Sequence, residues 1–350
     1  THHTVFKAEL CMISRGVLSS TLRSVSTMRG AIVSTFGGPE NIVVKDDLPT
    51  PSISSPNQVL IDVHSAGINP VDTYIRAGTY AKLPDLPYVP GRDGCGVVRE
   101  VGSGVTHVKA GDRVWFLAPN GASAEVTVAT EVFPLPDALL FIEGGCLGIP
   151  YLTAHRALFT RGHLKKSDRV LIHGASGGVG LASCQLARFF GASLVVGTAG
   201  TKQGEDTVAR NGAHHTVCHR DANYVDELRK IAPEGFDLII EMLANVNLAT
   251  DLNLLSRGGR VGIVGNRGEI TINPRAFMQK ESSAYGVMLS GATDEEMTGC
   301  SEMISSLFSS TEYRPVSSRI YSLDEFPQSH KDIVDPSLAA VGNRVVQIRK

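Results

Sequence analysis

Val170-Leu171-Ile172-His173-Gly174-Ala175-Ser176-Gly177-Gly178-Val179-Gly180-Leu181-Ala182-Ser183-Cys184-Gln185 is the stretch whose reading decides the fold. Three apolar residues, Val170 to Ile172, run into a turn punctuated by Gly174, Gly177 and Gly180. The turn opens into a segment with Val179, Ala182, Leu186 and Phe190 at helical spacing. The reading is strand, tight turn, helix. Glycine lets backbone approach a phosphate with no Cβ in the way, and the helix N-terminus offers free N–H groups and the positive end of its dipole. The spacing is G-x-x-G-x-x-G with Gly178 extra, a departure from the usual G-x-G-x-x-G. What raises the stretch above an ordinary strand–helix turn is its context, because a second β-branched run follows at 193–198.

Working outward toward the C-terminus, strand patterns recur at 216–218, 236–241, 258–265 and 284–289, with helical patterning between them. That alternation predicts an α/β unit with a doubly wound parallel sheet over 151–290. Toward the N-terminus the character changes. Short β-branched runs at 31–33, 42–44, 59–64, 113–116 and 124–128 are separated by Gly and Pro, including Pro84, Pro87 and Pro90. This first unit, 28–150, reads as a β-rich, partly open barrel. Residues 291–350 carry one helical pattern and a terminal strand, 344–349, expected to rejoin the first unit, since both would otherwise leave exposed edges.

The 350 residues are enough for two domains, and 42% hydrophobic with 19% charged residues is a globular composition. A net charge of −2 demands neither a nucleic-acid nor a membrane partner, and no apolar run is long enough to span a bilayer. Six scattered cysteines, with no C-x-x-C pair, read as buried thiols rather than a structural zinc site. Residues 1–27 form a leader outside the fold. Between Met12 and Met28 it has Arg15, Arg23, many Ser and Thr and no acid, the composition of a mitochondrial transit peptide. The other reading is an untranslated or alternative leader ahead of a start at Met28.

The cofactor can be argued from charge. An NAD site usually carries an acid at the end of the second strand for the ribose 2′-hydroxyl. Here that strand runs Val196-Gly197-Thr198-Ala199-Gly200-Thr201-Lys202, with no acid before Glu205. Lys202, His219 and Arg220 offer positive charge for a 2′-phosphate, so NADPH is expected. The competing view of Lys202 is a solvated surface lysine.

Three separated segments then identify a family. Gly67-Ile68-Asn69-Pro70-Val71-Asp72-Thr73-Tyr74-Ile75-Arg76-Ala77-Gly78-Thr79-Tyr80, His173 to Gly180, and Glu241-Met242-Leu243-Ala244-Asn245-Val246-Asn247-Leu248 closely resemble the zeta-crystallin family. These are NADPH:quinone reductases of the medium-chain dehydrogenase/reductase superfamily. The likeness runs from about Met28 to the C-terminus and leaves the leader outside. It implies a GroES-like catalytic domain interrupted by a Rossmann domain, NADPH, a homotetramer and a cytoplasmic setting, or a mitochondrial one if 12–27 is a transit peptide.

Carried over by motif, Tyr74 resembles the residue beside the cofactor and quinone. Ser176, Gly177, Gly178 and Val179 resemble the pyrophosphate-binding turn, and Gly197 and His219 the positions at the adenosine phosphate end. Asn245 resembles a cofactor contact after the fourth strand. Val264, Gly265, Asn266 and Arg267, with Val287, Met288 and Leu289, resemble two strand-end segments that touch the nicotinamide half. Asn266 stands where the family more often has Ser.

Zinc alcohol dehydrogenases of the superfamily carry Cys and His at turns where this chain has Asn69 and Arg92, and the four-cysteine loop is absent. No set of three protein ligands is apparent, so no metal is expected. The expected reaction is therefore reduction of an already electrophilic quinone, with the protein positioning NADPH against a flat apolar substrate near Asn69, Tyr74 and the 149–151 segment. The resemblance implies one-electron reduction of ortho-quinones to semiquinones. Tyr74 is a candidate hydrogen-bond donor to a quinone oxygen, against a packed core tyrosine.

Two rival readings remain. One is a zinc-free enoyl-thioester or enone reductase of the superfamily, with Tyr74 as proton donor. The other, implied by the resemblance, is AU-rich RNA binding or a crystallin role, for which the charge supplies no broad basic footprint.

Overall fold

The structure, a computed structural model, describes residues 26–119, 121–335, 337–338 and 341–349. The expected leader lies outside the described residues except at its end, where Thr27 already opens the first strand. The chain begins with the antiparallel pair β1 (Thr27–Val33) and β2 (Ile42–Pro49). It continues through β3 (Val59–Ile68), α1 (Pro70–Ala77), β4 (Asp93–Val101), β5 (Arg113–Leu117), β6 (Val126–Ala129) and β7 (Glu131–Pro134). The short α2 (Phe141–Gly144) and then α3 (Gly148–His155) lead into the second unit.

There strands and helices alternate: β8 (Arg169–Ile172), α4 (Gly178–Phe190), β9 (Leu194–Ala199), α5 (Lys202–Arg210), β10 (His215–Cys218) and α6 (Tyr224–Ile231). β11 (Phe236–Glu241), α7 (Ala244–Leu254), β12 (Leu255–Ile263), α8 (Arg275–Lys280) and β13 (Ser283–Gly286) complete it. The chain closes with α9 (Asp294–Ser310), β14 (Ser317–Ser322), α10 (Phe326–Asp332) and β15 (Asn343–Gln347).

Two large sheets result. One runs β14-β15-β3-β4-β5-β7, with β6 also on β3, so the terminal strand lies antiparallel beside β3 of the first unit. The other has six parallel strands in the order β10-β9-β8-β11-β12-β13. Its first half winds outward from β8 to β10, and its second half starts again beside β8 at β11. The reversal opens a crevice at the C-terminal ends of β8 and β11, where ligands bind in open α/β sheets.

The central parallel strands β8, β9 and β11 are buried on both faces, as crossover helices require. Val170, Ile172, Leu238 and Ile240 pack toward α3, α4 and α9 with Leu181, Leu186, Ile304 and Phe308. Leu171, Val196 and Ile239 face the opposite side with Leu248, Leu252 and Leu254 of α7. The first cluster also takes in Cys95 and Trp115 from the other sheet, so apolar packing is continuous between the two units.

One expected strand is shorter than read. The sixth parallel strand stops at Gly286, and Leu289 already turns away in a single 3-10 turn, so Met288 and Leu289 lie beyond the strand. No helix among the described residues is long and apolar enough to cross a membrane.

Candidate functional site

The glycine-rich turn sits in the crevice at the end of β8. Gly174 takes a left-handed conformation, φ +58°, which glycine adopts without a Cβ penalty. Thr198, from the neighbouring β9, clasps the turn twice. Its carbonyl accepts from the Ala175 N–H at 2.8 Å, and its Oγ1 accepts from the Gly174 N–H at 3.2 Å. A Cβ on Gly180 would lie 2.5 Å from the Gly174 carbonyl oxygen, so only glycine lets the helix close on the turn. A Cβ on Gly177 would meet nothing nearer than that same oxygen, at 3.5 Å, so this side of the turn is bare.

Helix α4 begins at Gly178 with no side-chain cap and no acid in its first turn. Its leading N–H groups, at Gly178, Val179 and Gly180, therefore have no partner within the helix. Bare glycine surface, unpaired donors and a positive helix end match the needs of a pyrophosphate. Ser176, Gly177, Gly178 and Val179 are all partly open. Gly197 is different: it is buried inside β9, where a Cβ would meet Val208 and Ala175, and its part is to let helix and turn pack on the strand.

The end of β9 carries the predicted charge. A Cβ on Gly200 would be 2.9 Å from His219 Nε2 and 3.2 Å from Arg220 Nε, so both basic side chains lie against this strand end. Partial burial, then the charges of His173 and Arg220, lower the His219 pKa. Lys202 is 80% exposed and its Nζ is 3.0 Å from Asp206, one helical turn on. Its charge is already partnered, which shifts the weight for a 2′-phosphate to His219 and Arg220.

The remaining strand ends line up along the same edge. Asn245 Oδ1 accepts from the Arg267 N–H at 2.9 Å, tying the first turn of α7 to the loop after β12. The Val264 N–H donates to the Glu241 carbonyl at 2.9 Å, and Gly265 accepts from Ala244 N–H at 3.0 Å. A Cβ on Gly265 would be 2.2 Å from the Met242 carbonyl oxygen, so that loop crossing also needs glycine. Asn266 donates to the Gly268 carbonyl at 2.7 Å and serves its own loop. Val287 donates to Ile263, at 2.9 Å, and Met288 beyond it is 57% exposed.

Asn69 occupies the other wall. It caps α1, with Pro70 at the first helical position and Gly78 closing the helix at φ +77°. Its N–H donates to Asp72 Oδ2 at 2.8 Å and its Nδ2 to Asp93 Oδ1 at 2.7 Å. Asp93 Oδ2 in turn accepts from the Ile149 N–H at 2.7 Å. The next residue, Pro150, comes within 3.4 Å of the Cβ position on Gly178. One chain of contacts thus runs from Asn69 to the start of α4. Burial pushes the Asp93 carboxyl up to about 6, against the donors from Ile149 and Asn69. Burial, with the charge of Asp93, pushes Asp72 up to about 7.

Tyr74 is half-buried on α1, and its hydroxyl has no hydrogen bond among the described residues. Tyr80, which the residue-by-residue reading did not single out, reaches across to Met288, its hydroxyl 3.6 Å from the sulfur. Tyr151 belongs to the core instead: its hydroxyl donates to Gln185 Oε1 at 2.6 Å and its ring packs on Phe308.

Three further buried groups escaped the sequence reading. His173, Glu241 and Asp251 place donor atoms within 4.8 Å of one another, the one such group of potential metal ligands among the described residues. It lies beneath the glycine-rich turn, not at Asn69. His173 Nε2 is 2.9 Å from Asp251 Oδ1 and 3.9 Å from Glu241 Oε2. Burial opposes the charged imidazole, but Asp251 and Glu241 outweigh it and raise the His173 pKa. Burial, helped by Asp251, pushes Glu241 up to about 7 against the pull of His173.

Comparison with known proteins agrees with this geometry. Residues 55–137 match the alcohol dehydrogenase GroES-like domain family, and 178–306 match the zinc-binding dehydrogenase family. The human quinone oxidoreductase is 46% identical over 323 residues, covering 91% of this chain and 97% of that protein. The pig quinone oxidoreductase is 48% identical over 315 residues, covering 89% of this chain and 95% of that one. The crystal structure of Escherichia coli quinone oxidoreductase complexed with NADPH superposes with a TM-score of 0.79 at 29% identity, covering 91% of this chain and all of that one. The chain is an oxidoreductase and belongs to the quinone oxidoreductase, or zeta-crystallin, family of the medium-chain dehydrogenase/reductase superfamily.

Proposed function

We propose that this chain is a zinc-independent, NADPH-dependent quinone reductase. The observation that carries the reading is the end of β9: a bare glycine turn beside it, no acid, and His219 and Arg220 against Gly200. The Arg220 guanidinium suits a 2′-phosphate, with the neutral His219 ring able to donate a hydrogen bond to it, and the E. coli relative is a quinone oxidoreductase in complex with NADPH. When bound, the reduced nicotinamide supplies the electrons. The chain's residues supply binding and orientation: Ser176 to Val179 for the pyrophosphate, His219 and Arg220 for the adenosine phosphate, and the loops at Asn245, Val264 to Arg267 and Val287 to Leu289 for the nicotinamide half.

Zinc does not suit the Asn69 wall. A carboxamide and a guanidinium stand where zinc dehydrogenases of this superfamily carry Cys and His, and the Asn69 amide is already spent on Asp93. An acceptor that needs no Lewis acid, such as a quinone, suits such a wall. Asp93 and Asp72 fix Asn69 from both sides, and Tyr74 offers a half-buried hydroxyl with no hydrogen bond among the described residues, while the equally unpartnered Tyr88 hydroxyl beside Asp72 is buried. Ortho-quinones and one-electron transfer are the finer reading, resting on the family resemblance alone.

The assembly proposed is a homotetramer. β13 is the last strand of its sheet and is exposed along most of its length, an edge of the kind proteins cover by pairing. Size-exclusion chromatography with light scattering measures this directly.

The reaction is tested by supplying NADPH with phenanthrenequinone or with an enoyl-CoA. Turnover of the quinone supports the proposal. Reduction of the enoyl thioester with an inert quinone would transfer the chain to the enoyl reductase reading.

A further inference from the structure

We propose that His173, Glu241 and Asp251 are positioning residues that brace the loops of the nucleotide site into one unit. The proposal rests on reading the glycine-rich turn as that site. Parallel pairing puts Ile240 opposite Ile172, so the next residues, Glu241 and His173, emerge side by side at the strand ends. Asp251 reaches them from α7, and all three are at most 3% exposed.

Each member except Asp251 holds a loop. His173 Nδ1 is 3.3 Å from Thr198 Oγ1, and that oxygen accepts the Gly174 N–H. Either protonation state of the ring permits this link: a neutral ring accepts the threonine proton, and a charged ring donates to the oxygen. Glu241 Oε1 accepts from the Leu243 N–H and, at 3.1 Å, from Asn247 Nδ2, which fixes the short link after β11 and the first turn of α7, where Asn245 lies. Asp251 makes no hydrogen bond to either loop, and its Oδ1 faces the imidazole from 2.9 Å.

Buried charges of this kind are costly unless paired. His173 between two carboxyls meets that demand in part, and the raised Glu241 pKa agrees with a triad short of positive charge. The other titratable groups facing it are Tyr224 of α6, which both carboxyls influence, and His219 after β10, which His173 influences. The brace therefore couples the turn after β8, the hydroxyl on β9 and the loop after β11.

Hydrogen exchange on the protein without cofactor is the test, followed by steady-state kinetics. Thr198→Val removes the hydroxyl at nearly constant shape. It is expected to speed exchange in peptides covering 173–181 by roughly 2–10-fold, the worth of one net hydrogen bond, with Thr198→Ser restoring protection. Asp251→Asn, which touches neither loop, is expected to speed exchange at both 173–181 and 241–248. Unchanged exchange at 173–181 or at 241–248 in Asp251→Asn, or loss of protection in Thr198→Ser equal to that in Thr198→Val, would overturn the brace. The kinetics separately test the site it serves: KM for NADPH rises in Thr198→Val while kcat holds. Faster exchange with an unchanged KM would leave the brace standing and remove the cofactor reading of the turn.

Discussion

The backbone N–H of Gly342 donates to the carbonyl of Ser176 at 2.7 Å, and Gly177 and Gly342 form a parallel bridge. The segment entering β15 of the first sheet is thereby pinned to the glycine-rich turn of the second. The same segment places Asn343 Oδ1 3.4 Å from the Cβ position on Gly178. The two units meet on the element that would carry the pyrophosphate, so the terminal strand shapes that site as well as closing its own sheet.

Gly342 has φ +86°, and a Cβ there would lie 2.4 Å from the Val316 carbonyl oxygen. Gly342→Ala is expected to cost about 1–3 kcal/mol through the left-handed backbone and the clash. It should also weaken NADPH binding, because the clash displaces the backbone N–H of residue 342 that tethers Ser176. Thermal unfolding and a fluorescence titration with NADPH check both effects. Wild-type behaviour in both would mean the contact carries no load.

Gly180→Ala addresses the turn itself. Its Cβ would meet the Gly174 oxygen at 2.5 Å and the Ala175 Cα at 2.6 Å, both backbone atoms unable to yield cheaply. The helix start must move away from β8, and NADPH affinity is expected to fall by about 10-fold or more, since close helix–strand packing is what this glycine provides. Titration of the folded variant, identified by an unchanged far-ultraviolet circular dichroism spectrum, reads the loss.

The basic residues make unequal predictions. Replacing His219 and Arg220 together by Ala should raise KM for NADPH by about 10-fold, the scale of a charge-assisted contact, and leave KM for NADH unaltered. Lys202→Ala should change either by less than about 2-fold, because an exposed lysine paired with Asp206 contributes little. A larger loss in Lys202→Ala than in the double variant would reverse this assignment.

Asp72 and Asp93 make the stability depend on pH. Burial raises Asp72 to about 7 and Asp93 to about 6, both from 3.8. An acid with a raised native pKa binds its proton more tightly when folded, so stability falls as pH rises from near 4 through 7. Glu241, raised to about 7, has the same sign. These carboxyls favour a higher melting temperature at pH 5.5 than at pH 8. His155 and His330, which burial lowers to about 4 and about 3, oppose them. The gap between the two pH values is therefore read by comparing the wild type with a carboxyl variant. Asp72→Asn keeps an acceptor for the Asn69 N–H and removes one titration, so it should raise the melting temperature at pH 8 and narrow the gap. A gap of unchanged width would show that Asp72 ionises freely in the native protein.

Much of this was legible in the sequence because it is local. Gly174, Gly177 and Gly180 signal a turn by what they lack, and the missing acid after Gly197 can be seen by reading along one strand end. What stayed hidden depends on register. His173 and Glu241 become neighbours only because Ile172 pairs with Ile240, and Asp251 joins them from the helix beyond. Asp93 stood next to Arg92, which drew attention as a replaced zinc ligand, while the role of Asp93 appears only when Asn69 and Ile149 both donate to it. The partner of Lys202 is itself local: Asp206 lies four residues on along the same helix face. The link from Gly342 to Ser176 crosses between units and leaves no mark in either segment.

The most direct measurement is oxidation of NADPH and of NADH, in parallel, with phenanthrenequinone as acceptor. Quinone-dependent turnover with kcat/KM about 10-fold or more in favour of NADPH is the predicted result, from the Arg220 guanidinium with the neutral His219 ring beside it as a hydrogen-bond donor. Equal use of both cofactors, or no quinone-dependent turnover with either, would contradict it.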